Sequence, residues 1–372
     1  MGRFRSQVVG MDIDRGAIKA VQVTPGSGGG TLQHVGYRRL PPGAVADGEV
    51  ADYDLLVSEI REFWSTHSFK GKSVLLGVAN QKVVVRLLDF PRMSQEDLAG
   101  AISFEAQDHI PMPLDEAVMD YQVLGPQGEG SDLDRILIVA AQKEMVIRYT
   151  SAVREAGLRP VGVDVKALSL LRSTLPDALF EDEGAVLLLD IGTELTNLVV
   201  SQSARPTLTR FIPGGSGYFV QAIADAADLS EDEAEKQLMN PEVRIGYGGA
   251  DASGGGEEET ADSGESLDPA LVYDIRRGVE DAAQTLAEDV QRSIEYHYSQ
   301  PGAREVSQVV VSGEGALVAG LDGYLGELLG LSAQRANPLQ KLSNNRSNVP
   351  EEQLRVMEPV LAVALGLALE DE

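Results

Sequence analysis

The chain has 372 residues, 58 of them acidic and 31 basic, giving a formal net charge of -27, and it contains no cysteine. So acidic a surface repels phosphate backbones and anionic headgroups, which excludes nucleic acid and charge-driven membrane attachment. Disulfide and thiol chemistry are excluded too, and the length exceeds one ordinary core, pointing to two lobes of roughly 150 to 200 residues.

The first segment, MGRFRSQVVGMDID, has two arginines but no apolar core long enough for a signal peptide before Asp12. Val8 to Val23 reads as an apolar strand ending at Asp12, a tight turn, and an amphipathic strand. Pro25 to Gly30 is a flexible turn before a strand from Leu32 to Leu40, and Tyr53 to Ser65 has helical spacing. Strands Ser73 to Val78 and Lys82 to Asp89 follow. A helix from Ser94 to His109 opens on a serine cap with an acidic first turn and stops at Ile110-Pro111-Met112-Pro113, where two prolines forbid more helix. With strands Ala117 to Leu124 and Arg135 to Ala140 and a helix from Lys143 to Ala156, the block 72–158 reads as an inserted α+β subdomain. Residues 1–71 and 159–185 then form the first lobe.

Val186 to Val200 repeats the opening pattern: an apolar strand ending at Asp190, a turn at Gly192, and a second strand. Helices Gly217 to Ala227 and Ser230 to Leu238 come next. Residues 246–268 hold seven acids and no bases, too few apolar groups to offset their ordering entropy, so a disordered acidic loop is expected there. A long helix from Leu271 to Ser299 precedes the strand Val306 to Val311, the turn Ser312-Gly313-Glu314-Gly315-Ala316 and a helix to Leu329. The second lobe therefore covers 186–350, and 351–372 is a C-terminal helix returning to the first. Its apolar run, Val360 to Leu369, is about half of what a bilayer needs. His34, His67, His109 and His297 have no metal-ligand spacing.

Alternating strands and helices in both halves predict an α/β fold with mixed sheets flanked by helices. Each glycine turn between strands offers backbone N–H groups to phosphate oxygens, and an Asp at a strand end can reach Mg²⁺ or its waters. Two such hairpins, with a third strand–glycine turn–helix unit, would hold a nucleotide from both sides.

That order of turns resembles the actin-like ATPase superfamily. In detail, Phe104-Glu105-Ala106-Gln107-Asp108-His109-Ile110-Pro111-Met112-Pro113-Leu114, then Asp120-Tyr121-Gln122-Val123-Leu124, resembles the PilM family of type IV pilus assembly proteins. Phe211-Ile212-Pro213-Gly214-Gly215, Ala234-Glu235 and Glu358-Pro359 are similar to landmarks of the same family. The resemblance implies an actin-like fold of two lobes with an inserted FtsA-like subdomain, and ATP with Mg²⁺ in the central cleft. Asp12 and Asp190 would be the metal-side carboxylates. Asp14, Arg15, Gly16 and Lys19 would belong to the first phosphate hairpin, and Gly192, Thr193, Glu194, Thr196 and Asn197 to the second. Gly214 and Gly215 would flank it, with Glu235, Gly313, Glu314, Gly315 and Ala316 near the nucleoside.

A cytoplasmic scaffold, peripheral to the inner membrane through a partner, is the implied role. The N-terminal cytoplasmic peptide of PilN would dock beside the inserted subdomain on Phe104, Glu105, Asp108, Ile110 and Leu114, with other pilus platform and motor proteins as further partners. A small-molecule kinase and an FtsA-like division protein are the alternatives. FtsA would add an amphipathic membrane helix, for which the LALEDE end is too acidic.

Several positions depart from the family. Asp14 stands where glycine is usual, as does Glu314; Leu238 stands where a lysine is expected near the nucleoside, unless Lys236 substitutes for it; and Lys166 follows Val-Asp-Val where Glu is common. Two added carboxylates and a lost cation oppose a polyphosphate. A like charge at 4 Å costs about 1 kcal/mol in water and about 4 at a dielectric of 20, or roughly tenfold to several hundredfold in affinity. ATP binding is expected to be weakened or lost, and fast hydrolysis is not expected.

Overall fold

A computed structural model describes residues 8–26, 29–127, 130–175, 184–240, 242–246 and 267–369. In chain order the first part runs β1 (Val9–Ile13), β2 (Ala17–Thr24), β3 (Gly30–Arg39), β4 (Val45–Ala46), β5 (Glu49–Val50), α1 (Tyr53–Thr66), β6 (Ser73–Val78), β7 (Val83–Pro91) and α2 (Gln95–His109). It continues through β8 (Ala117–Pro126), β9 (Leu133–Gln142), α3 (Lys143–Glu155), β10 (Arg159–Val165) and α4 (Lys166–Thr174). The second part has β11 (Ala185–Ile191), β12 (Leu195–Gln202), β13 (Arg205–Pro213), α5 (Ser216–Ala227), α6 (Glu231–Leu238), α7 (Pro269–Tyr298), β14 (Val306–Ser312) and α8 (Leu321–Leu329). It ends with β15 (Ser332–Arg335), β16 (Leu342–Asn345), α9 (Glu351–Met357) and α10 (Ala362–Ala368).

Two mixed sheets form the lobes. One has the order β10-β6-β1-β2-β3-β16 and the other β13-β12-β11-β14-β15. In each, an antiparallel hairpin sits beside a parallel strand: β1 pairs with β2 and with β6, and β11 with β12 and with β14. Strands covered on both faces lose the polar–apolar alternation. Accordingly β1 and β11 are buried throughout, their acids Asp12 and Asp190 included. The second lobe has its own core, in which Phe219 and Ile223 of α5 meet Val279 and Ala283 of α7 over Leu187 and Leu189.

The inserted unit is smaller than the 72–158 block. Strands 73–78 and 83–91 are separated by only a short turn but enter different sheets, so β6 belongs to the first lobe. Asn80 makes the switch: its Oδ1 accepts from the Lys82 N–H at 2.9 Å, and its carbonyl from that of Val83 at 3.0 Å. What remains is the sheet β7-β9-β8 covered by α2, whose Leu98 and Ile102 pack on Phe90, Ile136 and Ile138. Helix α3, also placed in that block, packs mainly on α1, β10 and β5 of the first lobe and touches β8 and β9 of the inserted sheet at its edge.

The C-terminal segment is not one helix. Pro359 lies in a 3-10 turn, Glu358–Leu361, between α9 and α10, and α10 is buried against α4, β1 and β2. Its apolar run is therefore core packing. No helix among the described residues is long and apolar enough to cross a membrane. Of the acidic loop expected at 246–268, residues 247–266 lie outside the described residues.

Candidate functional site: the cleft between the two hairpins

The β1–β2 and β11–β12 turns meet across the cleft. A Cβ placed on Gly16 would lie 2.0 Å from Thr193 Oγ1, so only glycine permits this approach of the two turns. Near this contact Arg15 Nη1 is 3.4 Å from Glu194 Oε1, and the Asp47 N–H donates to Glu194 Oε2 at 2.6 Å. Further out, Arg39 of β3 pairs with Glu235 of α6 at 2.8 Å.

Behind the turns lies a buried ionic cluster. Lys19, opposite Asp12 in the β1–β2 register, is 3 % exposed and places Nζ 2.6 Å from Asp14 Oδ2, 2.8 Å from Glu314 Oε1 and 3.3 Å from Asp12 Oδ2. The other Asp12 oxygen is 2.5 Å from Lys166 Nζ, which also donates to the Ile13 carbonyl at 3.1 Å. Burial alone would raise the Asp12 pKa, but Lys166 and Lys19 outweigh it and hold the carboxyl below its ordinary value. Burial opposes the charge on Lys19, whereas Asp14, Glu314, Asp12 and Asp190 raise its pKa well above the usual range. Burial opposes the charge on Lys166 too, but Asp12 and Asp14 together raise its pKa above the usual value. Asp190 has no lysine so close; it accepts from Asn197 Nδ2 and Ser312 Oγ at 3.0 Å each, and burial raises its pKa.

Glu314 is raised to about 7, burial outweighing Lys19. Its folded pKa lies above its unfolded value of 4.5, so the folded state binds more protons between the two. Its stability contribution is therefore present below pH 4.5 and lost as pH rises to about 7. Relative to Glu314→Gln, the unmodified chain is expected to lose up to about 3 kcal/mol between pH 4.5 and 8. Denaturant titrations of both proteins at the two pH values measure this, and parallel pH profiles would refute it.

Mg²⁺-ATP does not fit this arrangement. Both Asp12 oxygens face lysines, so the carboxylate that would reach the Mg²⁺ of a bound nucleotide is already neutralised from two sides. Several turn amides are already engaged: the N–H groups of Gly16 and Ala17 donate to Asp14 Oδ1, that of Gly192 to the Leu195 carbonyl, and that of Gly214 to the Glu194 carbonyl. The space left between Asp14, Tyr149, Lys166, Asp190, Thr193 and Asn197 is about 30 Å³. That admits water, whereas pockets for drug-sized ligands run to roughly 300–1,000 Å³.

Thus Asp12, Asp14, Lys19, Asp190, Asn197 and Glu314 converge. Asp14 and Glu314, expected to oppose a polyphosphate, instead face Lys19. Gly215 and Gly313 are where a Cβ would strike backbone, 2.1 Å from the Gly192 oxygen and 2.4 Å from the Ile191 oxygen, so both set the close packing of the turns. Gly315 and Ala316 are buried beside them, and Thr196 Oγ1 donates to the Gly214 carbonyl at 2.7 Å. Leu238 is core, and Lys236 is exposed on α6. Lys166 itself was visible only as a departure from a pattern. Tyr149, donating to the Gly48 carbonyl at 3.2 Å and lining the cavity, had no sequence signal at all.

On the inserted unit, Phe104 is 73 % exposed, with Glu105 and Asp108 exposed beside it on α2. Leu114 is half-buried. Ile110, expected in the docking groove, is buried with Val84, Ala106 and Ala140 and is core instead.

Two lobes closing on paired strand–Asp–turn–strand units, with a small inserted sheet, define an actin-like protein. Solved structures agree: MreB5 of Spiroplasma citri bound to ADP aligns over 97 % of this chain and 95 % of its own at 14 % identity and TM-score 0.55. EutJ, the ethanolamine utilization protein of Carboxydothermus hydrogenoformans, aligns over 97 % and 88 % at 16 % identity and TM-score 0.56. The family model for the type IV pilus assembly protein PilM matches residues 10–248 and 279–372, and the chain belongs to that family. It is similar to a structure described as a PilM-PilN type IV pilus biogenesis complex, at 28 % identity and TM-score 0.80 over 98 % of both chains.

Proposed function

We propose that this protein is a cytoplasmic scaffold of type IV pilus assembly that docks the N-terminal cytoplasmic tail of PilN and is held at the inner membrane through it. The observation that carries this is the full-length likeness to the PilM-PilN complex, at TM-score 0.80. Its physical support is the face of α2, where exposed Phe104 stands among the carboxylates Glu105 and Asp108. An aromatic anchor rimmed by acids suits a peptide carrying an apolar side chain next to a basic one. The net charge of -27 favours a protein tether over direct attraction to anionic lipid. Other platform and motor proteins would bind elsewhere on the same scaffold. Bound Mg²⁺-ATP is not part of this reading, because the cleft residues are committed to one another.

Calorimetry with a synthetic peptide of the PilN cytoplasmic N-terminus tests the docking. Phe104→Ala and Glu105→Lys are each expected to weaken binding about tenfold or more. Affinities equal to that of the unmodified protein would remove α2 from the interface.

A further inference from the structure

We propose that Lys166 supplies from within the chain the positive charge expected of Mg²⁺ at Asp12, so that the lobes close without nucleotide and the cleft takes no Mg²⁺-ATP. This goes beyond the docking reading, which survives or fails separately in the peptide measurement.

Three placements carry it. Lys166 is the first residue of α4, at the C-terminal end of β10, and the order β10-β6-β1 brings it alongside the end of β1. There the residue is only 7 % exposed, with its ammonium 2.5 Å from Asp12 Oδ1 and 3.1 Å from the Ile13 carbonyl oxygen. Gly77 of β6 makes room for the stem: a Cβ there would lie 3.1 Å from Lys166 Cγ. A buried carboxylate with an ammonium on one oxygen and Lys19 on the other already has its charge neutralised, and a metal ion would have to displace a buried cation to bind it.

Closure is then completed by the chain's own charges. Lys19 of the first lobe binds Glu314 of the second at 2.8 Å, and Glu194 of the second accepts from Asp47 of the first at 2.6 Å. Both acids sit on glycine-containing turns facing the cleft, where their charge would oppose a phosphate and instead ties lobe to lobe. The pocket between the two hairpins, about 30 Å³, has room for water but not for a phosphate chain.

Thermal unfolding of the full chain, with and without Mg²⁺-ATP and with EDTA, is the test. The midpoint of the unmodified protein is expected to stay the same in all three conditions. Any ligand bound about a hundredfold below its concentration would raise it measurably. Lys166→Ala is expected to lower the midpoint by several degrees, because Asp12 stays buried with one cation fewer. A nucleotide-dependent rise in the unmodified chain overturns the proposal, as does a Lys166→Ala midpoint equal to the original. If that variant does not fold, the response of the unmodified chain decides, together with solution scattering, which should show the same radius with and without Mg²⁺-ATP.

Discussion

Lys19→Met is expected to lower stability by about 3–5 kcal/mol at pH 8, the range for removing one partner of a buried ion pair. The methionine keeps the length of the stem, so the loss is of charge. Among the described residues Lys19 is the cation that pairs with Asp14, Glu314 and Asp12 together, at 2.6, 2.8 and 3.3 Å. Without it Asp12 keeps Lys166, but Asp14 and Glu314 face each other with no positive charge between them. The deficit should shrink toward pH 5, because burial raises Glu314 to about 7 and it then carries a proton. Denaturant midpoints of the two proteins at pH 5 and pH 8 measure both effects. A loss under about 1 kcal/mol would mean that these carboxylates behave as surface groups.

Gly313→Ala is the second large effect. Gly313 sits at φ +80 and ψ -174, a region that side chains avoid, and its N–H donates to the Pro359 carbonyl at 3.0 Å. The new methyl would meet the Ile191 oxygen at 2.4 Å and the Ile191 carbonyl carbon at 2.7 Å, both backbone atoms of a central strand that cannot yield. Backbone strain of about 1–3 kcal/mol adds to overpacking of about 1–3 kcal/mol. Gly43→Ala is the control: φ is +91, but no atom lies within 4 Å of the added Cβ. Its loss should be roughly 1 kcal/mol, from conformation alone. Equal losses at the two positions would show that the approach of the third turn to β11 is looser than its geometry implies.

The two hairpins were legible because their signals are local. An apolar run, an acid at the strand end and a glycine turn specify a hairpin within some 15 residues, and both appear as β1–β2 and β11–β12. The helix over 95–109 was legible for the same reason, its serine cap accepting from the Asp97 N–H and its end set by Pro111. Ile110 was not. A short apolar residue before a proline reads equally as core or contact, and only its packing on Val84, Ala106 and Ala140 decides.

Composition and pattern alone determined that the chain is an acidic, two-lobed α/β protein with paired turns, since charge, alternation and capping act over a few neighbouring residues. They could not assign the partner of a charge. Lys166 and Asp12 are far apart in the chain, and strand order within one sheet makes them an ion pair; β6 joins that sheet while β7 leaves it for the same reason. Whether an acid repels a ligand or binds a lysine depends on which cation the fold buries beside it, because at low dielectric the nearest opposite charge outweighs all others.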